Sequence, residues 1–210
     1  MLNFSVLDKA LIHFDSILRS NTTSVAVDSP ASSVNNAQSL TNEELRRSAS
    51  MMRINHSGEI CAQALYQGQA LMAKSTPLFL SLIEAAAEET NHLRWCKQRL
   101  NDLNAKSSIL NPVWYMGSFG IGILAGAAGD KISMGFIAET EYQVSAHLTK
   151  HLNDISVKDQ KSRAVLEQMR KDELQHAVNA QQAGGTKLPP AIKLFMRYTA
   201  KILTHTAAHI

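Results

Sequence analysis

Two short segments of the sequence combine acidic and imidazole side chains at a spacing typical of metal ligands. Glu89-Thr90-Asn91-His92 and Glu173-Leu174-Gln175-His176 both have the form Glu-x-x-His. Residues three positions apart lie on one face of a helix, so each pair can direct a carboxylate and an imidazole to the same region. A single motif of this kind often arises by chance, and a lone glutamate usually lies on a solvated helix face. The information therefore lies in the repetition of the motif.

Each motif is preceded by a segment that carries a further glutamate among apolar residues. Glu59 lies 30 positions before Glu89, and Glu141 lies 32 positions before Glu173. Helical periodicity places Glu59 and Glu141 on apolar stripes, whereas Glu139 points to a different side of its helix. The pattern of a glutamate followed by Glu-x-x-His thus occurs twice, which indicates an internal repeat of two helical hairpins.

The repeated carboxylates indicate a metal centre. Four glutamates in an apolar core are costly to bury unless they are paired or bound to metal. Oxygen and imidazole ligands suit iron or manganese. One glutamate from each of two helices and a Glu-x-x-His motif from each of two others form the ligand set of ferritin-like di-metal bundles. The predicted ligands are six residues, namely Glu59, Glu89, His92, Glu141, Glu173 and His176.

Composition is consistent with one folded protein. The 210 residues are 45% hydrophobic and 19% charged, which is enough apolar material for a core and too little charge for a disordered chain. Two cysteines exclude a disulfide scaffold and a four-cysteine zinc site. A net charge of +3 is far below that of a dedicated nucleic-acid binder, so we expect no nucleic-acid partner.

Hydrophobic periodicity predicts an all-α fold, since no sustained alternation indicates strands, and the repeated ligand set makes a ferritin-like four-helix bundle the expected architecture. We expect an N-terminal amphipathic helix over 1–20, a linker or mobile loop over 21–41 and the bundle domain over 42–210. Within this domain the predicted helices cover about 42–74, 76–104, 131–153 and 157–182, with a glycine-rich helix after Pro112 and a last helix after Pro189-Pro190. The predicted N-caps are Thr41, Thr76, Asp130 and Ser156.

Two segments carry the patterns of membrane contact. The stretch 107–129 has no charged residue and contains Pro112 and five glycines. Because its apolar run is marginal for spanning a bilayer, we expect a buried or membrane-dipping helix. In the last helix Lys193, Arg197 and Lys201 form a basic stripe. A packed helix with a solvated face and a helix lying on anionic lipid explain this stripe equally well.

Several polar residues lie close to the predicted ligands in the sequence. Glu88 and Asp172 are expected either at the surface or as partners that orient ligands. His147 is a candidate for orienting a ligand or relaying a proton, with a plain polar contact as the alternative. His56 is expected to be structural, and Tyr66 to serve in packing rather than in substrate contact.

At the level of whole motifs the sequence resembles a known family. Arg53-Ile54-Asn55-His56-Ser57-Gly58-Glu59 resembles the R-x-x-H-x-G-E opening of the demethoxyubiquinone hydroxylase family, the quinone-ring hydroxylases of ubiquinone biosynthesis. Glu89-Thr90-Asn91-His92-Leu93, Leu110-Asn111-Pro112-Val113-Trp114 and Asp172-Glu173-Leu174-Gln175-His176 resemble further blocks of that family. The resemblance covers about residues 42–205.

The resemblance implies an activity and a cofactor. The six predicted ligands would hold two iron ions, and Glu89 and Glu173 would bridge them. The enzyme would be a monooxygenase that inserts one oxygen atom from O2, its co-substrate, into the ring of a polyprenylated demethoxyubiquinol. Since this substrate dissolves in lipid, we expect a peripheral membrane protein on the cytoplasmic face of a bacterial-type inner membrane. Its partners would be the polyprenyl quinol, the membrane surface and other proteins of ubiquinone biosynthesis.

Other functions on the same bundle stay open at this point. The alternatives are a tRNA-modifying hydroxylase, a peroxidase or manganese catalase, an iron-storage subunit and a purely structural bundle. The low net charge disfavours binding to tRNA, and the uncharged stretch fits poorly with the hydrophilic outside of a storage cage. A structural bundle would leave four core-facing carboxylates unexplained.

Overall fold

The computed structural model of the protein describes residues 8, 11–12, 28–34 and 39–209. In these parts the chain forms no strand, and its helices are α1 (Asn42–Met72), α2 (Thr76–Asp102), α3 (Asn111–Ala127), α4 (Asp130–Asp154), α5 (Gln160–Gln182) and α6 (Pro190–Ala207), preceded by a short 3-10 turn at Pro30–Ser33. The predicted all-α class is confirmed. Most of the predicted N-terminal helix over 1–20, and much of the predicted linker, lies outside the described residues.

The two hairpins expected from the internal repeat face each other in the bundle. Helix α1 packs along α2, and α4 packs along α5. The pairs are joined by contacts of α2 with α5 and of α1 with α4. Helix α3 connects the hairpins and packs on α1, while α6 contacts both α1 and α4. The arrangement is a four-helix bundle with two additional helices.

The start of α1 agrees with the predicted capping box. The Thr41 hydroxyl accepts a hydrogen bond from the Glu44 backbone amide at 3.2 Å, and the Glu44 carboxylate accepts one from the Thr41 amide at 2.8 Å. The prediction for α2 was wrong by one residue. Its N-cap is Ser75, whose hydroxyl accepts from the Leu78 amide, and Thr76 is already helical. Serine and threonine cap helices about equally well, so sequence alone does not choose between neighbours.

The predicted caps of α4 and α5 were also wrong. The N-cap of α4 is Gly129, with a φ of 110° that favours glycine, and Asp130 lies in the first turn. The chain after Ser156 makes a further turn, so α5 begins later than predicted. Its N-cap is Asp159, whose buried carboxylate accepts from the Ser162 amide at 3.1 Å.

Glycines let α1 and α3 approach closely. A methyl group at Gly68 would overlap the Phe119 carbonyl oxygen, and one at Gly122 would overlap the Leu65 carbonyl oxygen. The glycine-rich composition therefore serves helix packing. Helix α3 is nevertheless not a buried helix, because its apolar side chains Val113, Met116 and Leu124 are exposed. No helix in the described part of the chain is long and apolar enough to cross a bilayer.

Because α1 and α3 cross closely, two glycines of α3 should respond differently to substitution by alanine. We expect Gly122→Ala to lower the free energy of unfolding by about 1–3 kcal/mol, since the added methyl group overpacks the crossing. Gly120→Ala is the control, because a methyl group there meets no atom within 4 Å. It should stabilise the protein by about 0.5–1 kcal/mol through helix propensity. Urea denaturation measures both changes, and equal effects would contradict the packing argument.

Two apolar layers enclose the centre of the bundle. One contains Met52, Cys96, Leu100, Leu148, Leu166 and Met169, and the other contains Tyr66, Phe79, Leu82, Ala86, Ile137 and Ala180. Along each helix the predicted ligands lie between these layers. The carboxylates are therefore screened from water on both sides.

Candidate metal centre

The four predicted glutamate ligands come from four different helices and are all buried. Glu59 of α1, Glu89 of α2, Glu141 of α4 and Glu173 of α5 are at most 3% exposed. Each lies on the inward face of its helix because the apolar stripe that carries it packs into the core. Helix α4 thus directs Glu141 inward. Glu139, two positions earlier, points to another side of the helix, where its carboxylate lies 2.6 Å from the Lys193 ammonium of α6.

One half of the site is a compact cluster around His92. Four residues each offer a ligand atom within 4.8 Å of one another, namely Glu59, Glu89, His92 and Glu173. The Nδ1 atom of His92 lies 3.5 Å from Glu59 Oε2, 3.2 Å from Glu89 Oε2 and 3.1 Å from Glu173 Oε1. These atoms converge on one point between α1, α2 and α5.

The other half of the site is built around His176, whose side chain is 12% exposed. Its Nδ1 atom lies 3.5 Å from Glu89 Oε1 and 3.4 Å from Glu173 Oε2. Glu89 and Glu173 therefore each turn one oxygen towards His92 and the other towards His176. Glu141 lies outside the cluster of four residues, and its Oε1 atom accepts a hydrogen bond of 2.7 Å from the Tyr66 hydroxyl.

The donor atoms fit a pair of divalent cations. Several of them are buried and form no hydrogen bond, namely Glu59 Oε2, Glu89 Oε1, Glu141 Oε2, Glu173 Oε2 and His176 Nδ1. An unsatisfied buried acceptor is unfavourable by about 1–3 kcal/mol, and more when it carries charge. Carboxylate oxygens with imidazole nitrogens are ligands that iron and manganese accept. Cation binding would satisfy these atoms together.

The pKa values of the buried carboxylates are shifted in different directions. Burial raises the pKa of Glu59 and of Glu141 well above the ordinary value, and the neighbouring carboxylates raise both further. Burial also opposes the ionisation of Glu89, but the facing imidazoles of His176 and His92 outweigh it and hold its pKa below the ordinary value. The lowered pKa favours the ionised form of Glu89, which is the form that binds a cation.

The two histidines balance this negative charge. Burial opposes their protonation, yet the surrounding carboxylates raise the pKa of His176 to about 11 and that of His92 well above its ordinary value. A metal ligand must be the neutral imidazole, so cation binding would release these protons.

Some predicted neighbours contact the cluster and others do not. Glu88 and Asp172 each contact one of the two histidines. His147 instead packs against His151, with a ring separation of 4.0 Å, and its buried Nε2 atom forms no hydrogen bond. Tyr66, expected to serve in packing, also donates to a predicted ligand. No signal in the sequence distinguished the hydroxyl contact of Tyr66 from plain packing.

A narrow recess without room for a water molecule adjoins Glu141. It lies between α1 and α4 and is lined by Ala62, Leu65, Tyr66, Gln69, Ile137, Thr140 and Glu141. Gln69 donates from its amide nitrogen to Ser133, but its buried Oε1 atom forms no hydrogen bond. Apolar surface and a few hydrogen-bonding atoms thus meet beside a predicted ligand.

His56, expected to be structural, contacts α3 rather than the cluster. It is 6% exposed, and its Nδ1 atom lies 3.4 Å from the amide nitrogen of Asn111. Burial, with a smaller effect of Lys97, lowers its pKa from 6.5 to about 4. The unfolded chain therefore takes up a proton between pH 6.5 and 4 that the folded chain does not.

This difference predicts a pH dependence of stability. The contribution of neutral His56 is complete above about pH 6.5 and is lost as the pH falls to about 4. At about 1.4 kcal/mol for each pKa unit, the loss is about 3 kcal/mol at most. We expect His56→Gln to lose less stability than the wild type between pH 7 and pH 4 in urea denaturation. Parallel pH profiles for the two proteins would contradict this prediction.

Fold and site together define a class. Four helices that direct four carboxylates and two histidines to one buried centre form a ferritin-like bundle of the carboxylate–histidine type. Residues 46–207 match the sequence model of the family described as "Ubiquinone biosynthesis protein COQ7", and the chain belongs to this family. The resemblance inferred from the motifs is confirmed.

Relatives with curated names have nearly the same length as this chain. A protein of Acinetobacter baumannii is 47% identical over 213 residues, which cover all of both chains. A protein of Nitrosococcus oceani is 50% identical over 208 residues, covering 97% of this chain and 96% of the relative. A protein of Ralstonia pickettii is 46% identical over 98% of this chain and all of the relative. All three are named 3-demethoxyubiquinol 3-hydroxylase.

Proposed function

We propose that this chain is an O2-dependent monooxygenase that hydroxylates the ring of a polyprenylated demethoxyubiquinol in ubiquinone biosynthesis. The observation that carries the proposal is the buried set of four carboxylates and two histidines with unsatisfied oxygens. Membership of the COQ7 family, and relatives of equal length named for this reaction, support the substrate. Among the alternatives, a structural bundle gives no reason for such a cluster in a core.

The proposed cofactor is a pair of iron ions. Glu59 and His92 would belong to one ion, and Glu141 and His176 to the other. Glu89 and Glu173 would be shared, since each turns one oxygen to each histidine. Bound ferrous iron would supply electrons for the reduction of O2. The same ligands accept manganese, so the assignment to iron rests on the family.

The chain's own residues prepare the site for this chemistry. The apolar layers exclude water, which strengthens the electrostatic interactions among the carboxylates. The quinol ring would approach between α1 and α4, where the recess beside Glu141 would have to widen to admit it. There the free Oε1 atom of Gln69 can accept a hydrogen bond from a ring hydroxyl. The Tyr66 hydroxyl fixes the orientation of Glu141 at the inner end of this approach.

Helices α3 and α6, with Ile109 just before α3, carry exposed apolar side chains that support binding to a membrane. These side chains are between 42% and 76% exposed, namely Ile109, Val113, Met116, Leu124, Leu194, Phe195, Tyr198 and Ile202. Exposed apolar side chains are typical of interaction sites where they form a contiguous patch. The neighbouring cations Arg197 and Lys201 are exposed as well and favour anionic lipid. From the family resemblance we also propose that this membrane is a bacterial-type inner membrane and that the protein lies on its cytoplasmic face.

An apolar cluster connects the recess with α3 and α6. Leu65 lines the recess and also packs in an apolar cluster with Ile121 of α3 and Met196 of α6. A lipid-dissolved ring could reach the carboxylates through this apolar region without crossing bulk water. Further proteins of ubiquinone biosynthesis are proposed as partners on the family's description alone.

The test is a single-turnover oxidation of the full chain. The protein is loaded with ferrous iron without air, mixed with a short-chain demethoxyubiquinol and exposed to 18O2. Mass spectrometry should detect a quinol heavier by one labelled oxygen atom. Consumption of O2 with oxidised iron and unmodified quinol would contradict the proposal and favour storage or another substrate.

A further inference from the structure

The two Glu-x-x-His motifs share an acidic residue directly before the glutamate. Glu88 precedes Glu89 on α2, and Asp172 precedes Glu173 on α5. Consecutive helical residues point about 100° apart. When the glutamate points into the core, the residue before it therefore points to the flank of the helix. In both motifs this flank faces the other motif.

The structure shows a reciprocal exchange between the motifs. Asp172 Oδ2 lies 3.1 Å from Nε2 of His92, and Glu88 Oε2 lies 2.8 Å from Nε2 of His176. Each acidic residue thus contacts the histidine of the opposite helix. In both histidines the remaining nitrogen, Nδ1, faces the carboxylate cluster at 3.1–3.5 Å.

We propose that Asp172 and Glu88 are positioning residues that hold His92 and His176, respectively, with Nδ1 turned into the metal centre. A carboxylate that accepts the Nε2 proton fixes both the tautomer and the orientation of the ring. The pairs also clamp α2 to α5 at the level of the site. This inference rests on the proposed metal centre and adds a role for two residues outside the six ligands.

Asp172 is held more firmly than Glu88, and the two halves of the site also differ in their contacts. Asp172 is 32% exposed, and its second oxygen accepts a hydrogen bond of 2.8 Å from Gln168. The Glu88 side chain is 56% exposed. The His92 half also has three carboxylates within 3.5 Å of Nδ1. In the His176 half, by contrast, one oxygen of Glu141 is engaged by a hydroxyl. The His92 half should therefore bind its ion more tightly and fill first.

Titration of the full chain with Co²⁺ under anaerobic conditions tests this arrangement. The visible absorption of bound cobalt follows each binding step. The wild type should bind two ions with unequal affinity, and Glu59→Ala, which lacks a carboxylate of the His92 half, should weaken the tighter step. Asp172→Ala should weaken that step by about 10–100-fold and leave the other unchanged. Glu88→Ala should weaken the other step alone.

Matched variants separate positioning from a general effect on the fold. Glu167→Ala and Glu84→Ala remove exposed carboxylates from the same two helices and should change neither step. Asp172→Glu, which keeps the carboxylate, should restore most of the tight step. If Asp172→Ala does not fold, Asp172→Asn provides the comparison, because it keeps the side-chain shape and loses the charge.

The outcomes distinguish this inference from the proposed function. Equal affinities in the wild type, or weakening of the same step by both alanine variants, would overturn the reciprocal arrangement. Unchanged cobalt binding in both alanine variants would overturn it as well, while leaving the metal centre intact. A wild-type chain that binds no cobalt would overturn the metal centre and the inference with it.

Discussion

Replacing Glu89 by alanine is expected to abolish hydroxylation and to remove iron from both halves of the centre. Glu89 is fully buried, and its two oxygens face the two histidines. Its loss affects both proposed ions, so affinity should fall by more than the roughly 10–100-fold that the loss of an orienting partner causes. Elemental analysis after anaerobic iron loading measures occupancy, and mass spectrometry of the quinol measures the reaction.

Two variants make this expectation specific. Glu84→Ala on the exposed side of α2 should retain both iron and activity. Glu59→Ala should retain the iron of the His176 half and lose hydroxylation, because the histidine that Glu59 contacts is His92. A Glu89→Ala protein that binds two iron ions or hydroxylates at the wild-type rate would contradict the assigned site.

Asp159→Ala is expected to cost about 3–5 kcal/mol of the free energy of unfolding. Asp159 is fully buried, and its Oδ1 atom accepts from the Arg99 guanidinium at 2.8 Å. Arg99 is 4% exposed and also donates to Ser162 at 2.8 Å. Removal of the carboxylate leaves the buried guanidinium with only the partly exposed Asp102, 3.4 Å away, as a charge partner, and removes the N-cap of α5. Urea denaturation of the wild type and the variant measures the change.

A surface ion pair provides the control for this prediction. Arg47 and Asp154 are 3.8 Å apart, and the Arg47 side chain is 58% exposed. Asp154→Ala should therefore change stability by no more than about 1 kcal/mol. The double variant Arg99→Leu with Asp159→Ala should recover part of the loss, since it removes the uncompensated charge. Equal losses at Asp154 and Asp159 would contradict the view that the buried pair joins α2 to α5.

The helices could be predicted from the sequence because each amphipathic stripe has a period that only a helix satisfies. The helix ends were harder to predict. Ser75 and Thr76 are both good caps, and so are Ser156 and Asp159. The choice between them depends on where the connecting turn runs, and that is set by packing against the neighbouring hairpin. The glycines of α3 illustrate the same limit, because an uncharged stretch predicts apolar surroundings without identifying which helix it crosses.

The candidate site could be inferred because its pattern is repeated and periodic. Periodicity separated Glu141 from Glu139, and the structure buries the first and pairs the second with Lys193. Contacts between side chains of different helices could not be predicted from periodicity. Arg99 and Asp159 are 60 positions apart, and their pairing depends on the relative rotation of α2 and α5. The hydroxyl contact of Tyr66 with Glu141 depends on the corresponding relation between α1 and α4.

The central claim is that six residues from four helices hold two iron ions. Anomalous diffraction at the iron absorption edge, from crystals of the ferrous-loaded full chain, tests it directly. We expect two iron positions inside the bundle, with Glu89 and Glu173 between them and the histidines His92 and His176 at opposite ends. A single iron, iron outside the bundle, or iron ligated by residues other than these six would contradict it.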